Sequence, residues 1–305
     1  MLESQGYGLS EDRRFCKSVL GLRSIVDFIC NEFIHGGHLL ALGASAVALS
    51  IMILLDTVIR WEFLIISYLC TLAIYGYDHY RDVERDITGN IDRVNHIRRY
   101  YKVYPLILSS YIILFFSLLF YFGNLNSLIF GVLLLLIGLF YTIKVKKLTT
   151  KITGFKSIYT SLSVASFVIF TGLYCYHSIN LLLILLFVFM FLRFLVNTSF
   201  CDIKDIESDR RYNILTLPVV LGKERFMFIL HIINIISLIP LIAGIYLNIL
   251  PLFAMPLVFS IIYGGYYIEK ARRVNNVNIE SLSSIVADGE FVFWPFILFL
   301  GMIFI

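Results

Sequence analysis

Residues 103–143 read VYPLILSSYIILFFSLLFYFGNLNSLIFGVLLLLIGLFYTI, without one charged side chain. A helix needs about 20 apolar residues to cross the hydrocarbon core of a bilayer, so this run is too long for one crossing and long enough for two. The GNLN sequence at 123–126 is turn-forming and splits the run into a pair of helices.

Working outward, the uncharged stretches 33–55, 63–77, 157–192, 226–268 and 291–305 repeat the pattern. YHSIN at 176–180 divides the second long run, and the stretch from Asn248 to Pro251 divides the third. The spacing predicts nine spans, near 37–55, 61–81, 103–122, 126–143, 156–175, 179–200, 226–246, 249–268 and 287–305. Backbone groups in lipid must be satisfied internally, and the runs lack the alternation of barrel strands, so the spans are helices. The chain is 59% hydrophobic and only 15% charged, against about 25% charged in soluble domains. Its mean hydropathy of +0.85 agrees. The expected fold is an all-α integral membrane protein in the cell membrane, with a cytoplasmic segment at 1–35 and a nine-helix transmembrane domain at 36–305.

Charge orients that bundle. With nine spans, every Lys and Arg except Arg60 and Arg193 falls on one side. The positive-inside rule then places the N-terminus in the cytoplasm and the C-terminus outside. Residues 13–34 put Phe15, Val19, Leu22, Val26, Ile29 and Phe33 at helical spacing, with Lys17, Arg23, Asp27 and Glu32 elsewhere. This suits an amphipathic helix lying on the inner surface, or an extension of the first span. The cysteines show no CxxC spacing and read as small apolar fillers. No nucleotide-binding loop or zinc motif is present, and no nucleic-acid partner is expected.

Chemistry concentrates at two span ends. DHYRDVERD at 78–86 sets Asp78, Asp82 and Asp86 one helical turn apart. CDIKDIESDRR at 201–211 repeats the device with Asp202, Asp205 and Asp209. Like charges at i,i+4 repel, oppose the negative C-terminal end of the helix dipole and resist desolvation, so a cation is expected to compensate them. Either cluster alone could be a solvated helix end with local Arg pairs. Two in matching positions could face each other across a cavity. All-oxygen ligands favour Mg²⁺, which takes one or two carboxylates together with water and phosphate oxygens. Between them YTIKVKK at 141–147 supplies Lys144 and Lys146 for phosphate oxygens, or serves only to set topology.

Together these residues resemble the UbiA superfamily of intramembrane prenyltransferases. That family has nine transmembrane helices and two Asp-rich motifs. DHYRDVERD fits the first, NDxxDxxxD, at Asp82 and Asp86, with Asp78 in place of the Asn and His79 in place of the first Asp. DIKDIESDRRYNILTLP fits the second, DxxxD with a downstream TLP, at Asp205, Asp209 and Thr216-Leu217-Pro218. The family's YSxPLKR is similar to residues 141–147 at Tyr141 and Lys146. The proline-containing RPxRP-like segment that follows the first motif in many relatives is absent from ITGNIDRVNHIRRYYK.

The resemblance implies Mg²⁺-dependent transfer of an isoprenyl chain from a polyprenyl diphosphate, such as geranylgeranyl diphosphate. The acceptor would be lipophilic, a quinone precursor or a lipid ether precursor, amid membrane lipids. Asp82 and Asp86, with Asp78 beside them, would bind one Mg²⁺, and Asp205 and Asp209, with Asp202 beside them, another. Asp82 and Asp205 are the expected catalytic pair, and Lys146 and Tyr141 would meet the diphosphate. Arg193 and Asn197, one turn apart before Asp202, could touch substrate or make an interhelical hydrogen bond. His35 and His38 could reach the acceptor or anchor at the interface. A divalent-cation or proton-coupled transporter is the alternative use for intramembrane carboxylates.

Overall fold

The computed structural model describes residues 29–84, 87, 91–176, 178–273, 279 and 282–304, and these form helices with no strand among them. In chain order they are α1 (Ile29–His35), α2 (His38–Leu54), α3 (Trp61–Arg81), α4 (Ile91–Tyr100), α5 (Tyr104–Phe122), α6 (Leu125–Ile143) and α7 (Phe155–Tyr174). There follow α8 (Leu181–Cys201), α9 (Ile206–Arg211), α10 (Leu217–Leu221), α11 (Lys223–Ile236), α12 (Leu238–Tyr246), α13 (Phe259–Arg273) and α14 (Trp294–Phe304). The expected amphipathic helix lies outside the described residues except for α1, and Asp86 lies outside them too.

A helix occupies each expected span. Among the described residues seven are long and apolar enough to cross a membrane, and α1–α2, bent by 65°, makes an eighth if counted as one. The remaining segment, α3, runs 21 residues and carries Glu62, Asp78, His79 and Arg81, which lower its apolar content. The breaks fall where the turn residues predicted them. Asn124 caps α6, accepting from the Ser127 N–H at 2.9 Å while the Ser127 hydroxyl accepts from the Asn124 N–H. Asn180 caps α8 through the Leu183 N–H. Asn248, at φ 54°, turns the chain between α12 and the 3₁₀ segment Leu252–Val258.

Lipid is as apolar as leucine, so close packing rather than water exclusion selects the helix arrangement. α7 packs most extensively on α8, and α3 on α2 and α5. At Gly138 of α6 an added Cβ would stand 2.6 Å from Ile74 of α3, so only glycine admits this approach. One buried cluster joins α2, α7, α8 and α14, where Phe194 stacks on Phe291 at 4.1 Å between ring centres. A second joins α2, α3, α5, α6 and α7 around Phe63, Phe115 and Phe170. The C-terminal ends of α3 and α8 and the N-terminal end of α7 meet on one side of the bundle, around a polar pocket.

Candidate active site

Local structure carries the acidic residues to that pocket. Asp82 caps α3, its N–H bonded to the Asp78 carbonyl at 3.0 Å. After α6 ends at Ile143, the 3₁₀ turn Val145–Thr150 swings Lys146 back to α3. The Lys146 ammonium donates to Asp78 Oδ1 at 3.2 Å and also pairs with Asp82. Thr142 donates to the same Asp78 oxygen at 2.8 Å. The Lys146 ammonium stands 5.9 Å above the Tyr141 ring, which stacks on Tyr159.

The second cluster is built by two loops stitched together. Leu215 N–H bonds the Thr149 carbonyl at 2.9 Å and Gly154 N–H bonds the Leu215 carbonyl at 2.8 Å. Gly154, at φ 72°, then starts α7 and brings Lys156 beneath the carboxylates. Lys156 Nζ lies 2.8 Å from Asp202, 3.5 Å from Asp205 and 3.6 Å from Asp209. Ser157 donates to the other Asp202 oxygen at 2.5 Å. Both Asp202 oxygens are thus engaged. Asp205 Oδ1 and Asp209 Oδ2 are buried without a hydrogen-bond partner.

The two motif carboxylates differ electrostatically. Burial pushes the Asp205 carboxyl up, but Lys156, Lys204 and Arg93 outweigh it and hold the group below the usual carboxylate range. At Asp209 burial, with Asp202 and Asp205 adding to it, prevails over Lys156 and pushes the carboxyl up to about 6.

Asp78, Asp82, Lys146, Asp202, Asp205 and Asp209 all line one pocket of about 250 Å³. It adjoins an apolar cavity walled by Ile74, Tyr75, Tyr159, Phe167, Phe194 and Phe291. Tyr141 and Asn197 line both. His35 lines the polar pocket, whereas His38 bonds the Tyr68 hydroxyl at 2.6 Å beside a separate cavity. Arg193 lines neither the polar pocket nor the apolar cavity. Fully buried, it donates to Glu290 at 2.5 Å and to the Ser260 carbonyl at 3.0 Å, and binds Asn234 as well. The interhelical alternative is the one realised.

Sequence reasoning missed Lys156, which reads as one more cytoplasmic lysine. It also missed Asp288, Arg93 and Lys204, which line the polar pocket. Arg93 reaches His79 at 3.2 Å from α4. No local signal marks Lys156, Asp288 or Arg93, each a single charge outside the acidic repeats, while Lys204 lies within the second repeat and is overshadowed there by the aspartates.

Mg²⁺ fits this donor set. Asp205 Oδ1, without a hydrogen-bond partner, and Asp209 Oδ2, which the Lys156 ammonium faces at 3.6 Å, are hard ligands on residues that line the polar pocket. Among the described residues no three acidic, His or Cys side chains converge on one point. An ion of this kind takes only one or two carboxylates and completes its shell with water and phosphate oxygens.

The sequence profile of the UbiA prenyltransferase family matches residues 39–294. The fold is similar to that of a UbiA homolog from Aeropyrum pernix K1 (TM-score 0.64, 13% identity, covering 87% of this chain and 96% of that one). It is also similar to a UbiA homolog from Archaeoglobus fulgidus bound to DMAPP and Mg²⁺ (TM-score 0.59, 14% identity, 88% and 98% covered). A digeranylgeranylglyceryl phosphate synthase structure matches at TM-score 0.59 and 16% identity, over 90% of this chain and 97% of that one. No curated protein sequence matches the chain.

Proposed function

We propose that this chain, which belongs to the UbiA prenyltransferase family, transfers an isoprenyl group from a polyprenyl diphosphate to a lipophilic acceptor inside the membrane. The acceptor is a quinone precursor or a lipid ether precursor. The observation that carries the reading is the meeting of two carboxylate clusters and two lysines at the mouth of an aromatic cavity among the spans. The A. fulgidus homolog bound to DMAPP and Mg²⁺ supports it by analogy of fold. A transporter reading has no support from the family, whose members are named as transferases.

In this reading Asp82 and Asp86 hold one Mg²⁺, and Asp205 and Asp209 the other. Held there, Mg²⁺ would supply positive charge against the leaving diphosphate. Asp78 positions Lys146, while Asp202 positions Lys156 and Ser157. Lys146 turns from its carboxylates to the diphosphate oxygens, and Tyr141 flanks it. The apolar cavity takes the prenyl chain and excludes water from the allylic centre. Its aromatic faces attract the developing positive charge, each contributing about 1–2 kcal/mol where desolvated. Nine crossings put the acidic ends in the cytoplasmic half, with the N-terminus inside and the C-terminus outside.

The test is transfer from geranylgeranyl diphosphate by the full chain in lipid nanodiscs, under Mg²⁺ titration. Asp82→Ala and Asp205→Ala should each lower turnover by about 10²-fold or more, and chelator should abolish both turnover and donor binding. Turnover that survives chelator or either substitution would overturn the reading.

A further inference from the structure

Asp288 is an acidic side chain for which the diphosphate chemistry has no use. It lies on the segment leading into α14, directly after a π-helical stretch (Leu282–Ala287), a distortion that often accompanies functional positions. It lines both the polar pocket and the apolar cavity, so it stands where the two join. Among the described residues it forms no ion pair, and its polar contact is the thiol of Cys201, donating at 4.0 Å. Asp78, the other carboxylate at that junction, is already held by Lys146 and Thr142. Lys204 and Arg93 line the same polar pocket and act on Asp288 from beyond ion-pair distance. Ionisable groups on membrane helices that face a cavity mark substrate paths.

Asn197 gives an independent sign of a ligand at the same place. Its side chain is 4% exposed, its amide nitrogen is buried without a hydrogen-bond partner, and it too lines both cavities. A buried amide donor is nearly always satisfied by protein, water or ligand. Asn197 stands one turn before Cys201 on α8, so both side chains share the helix face that meets Asp288.

One carboxylate that only accepts and one amide that is free to donate together suit a group able to do both. A hydroxyl is such a group. Resting on the prenyl-transfer reading, we infer that Asp288 and Asn197 seat the hydroxyl of the acceptor, which donates to the carboxylate and accepts from the amide. The acceptor oxygen is then held where the two cavities join, beside the end of the prenyl chain that meets the diphosphate pocket. A carboxylate at this point disfavours acceptors that present an anion to it.

The test separates donor from acceptor. Full-length protein in nanodiscs is assayed with Mg²⁺ and geranylgeranyl diphosphate for donor affinity. Transfer is then measured to 4-hydroxybenzoate, 1,4-dihydroxy-2-naphthoate and a 1-O-alkylglycerol 3-phosphate, each against its O-methylated counterpart. Wild type should prenylate a hydroxylated probe and spare the O-methylated one. Asp288→Asn and Asn197→Leu should raise the acceptor KM at least 10-fold while donor affinity stays within 2-fold, and Asp288→Glu should recover part of the loss. Loss of donor affinity in Asp288→Asn, equal use of the methylated probe, unchanged acceptor KM, or donor binding with no transfer to any hydroxylated probe would overturn the inference. Failure of wild type to bind the donor in Mg²⁺ would instead overturn the prenyl-transfer reading.

Discussion

Lys156 Nζ lies 2.8 Å from Asp202 Oδ1, and the same ammonium reaches both carboxylates of the DxxxD motif, Asp205 and Asp209. One lysine on α7 thus holds together the acidic end of α8 and the start of α9. Without it, three clustered carboxylates face one another with the nearest compensating charge removed.

Lys156→Ala should therefore destabilise the metal-free protein, by less than the roughly 3–5 kcal/mol of a fully buried pair because Lys156 is 28% exposed. Mg²⁺ supplies replacement charge, so the loss in Tm should shrink when the ion is added. Thermal unfolding in nanodiscs, with Mg²⁺ and with chelator, measures this. An equal loss of Tm under both conditions would mean that Lys156 acts through packing alone.

Lys146 and Lys151 separate a site residue from a topology signal on the same short segment. Lys146 is largely buried against Asp78 and Asp82, whereas Lys151 is exposed. Lys146→Ala should lower turnover by about 10²-fold, in the range typical of a lost transition-state donor. Lys151→Ala should leave turnover within about 2-fold, as expected of a surface substitution away from the site. Steady-state rates for the two variants decide it, and similar small effects would reduce both lysines to membrane orientation.

Arg193 and Glu290 join α8 to the segment before α14 through a pair that is 0% and 2% exposed. Arg193→Leu leaves Glu290 buried without its cation, which costs about 3–5 kcal/mol. The expected result is a large fall in Tm with donor affinity little changed in the folded fraction, because Arg193 lines neither the polar pocket nor the apolar cavity. Thermal unfolding paired with donor binding checks both halves. A selective loss of donor binding at unchanged Tm would count against the structural role.

His96 on α4 is 7% exposed and faces Glu32 at 3.4 Å, with Arg99 and His38 also nearby. Burial lowers its pKa, and Arg99 and His38 reinforce this against the pull of Glu32. A group whose folded pKa lies below its unfolded value contributes stability above the unfolded pKa, about 6.5 for histidine, and loses it as pH falls through the folded value. Mild acid should therefore loosen α4, and trypsin cleavage at Arg98 and Arg99 should accelerate between pH 7.5 and pH 5.5. His96→Gln should flatten that dependence. An unchanged dependence in the variant would assign the effect to another group.

The sequence by itself determined where helices run and where they break. Lipid forces backbone satisfaction, so uncharged length and Asn-containing turns locate the helices without tertiary information, as Asn124 and Asn180 illustrate. It also determined the two acidic repeats, because like charges one turn apart on a span end are costly and stand out. Tertiary structure alone decided which solitary residues join them. Arg193 and Asn197 sit one turn apart on α8, yet the first reaches Glu290, 97 residues onward, and the second opens on both cavities. Lys156 and Asp288 each carry one charge with no repeat around it, and their roles come from the loop stitching at Thr149 and Leu215 and from the placing of Asp288 beside Cys201. Helical periodicity fixes the angle at which a side chain leaves its own axis. The neighbour it meets there depends on how the other helices pack, and in lipid that packing is set by small-residue contacts such as Gly138 against Ile74 and by buried polar pairs.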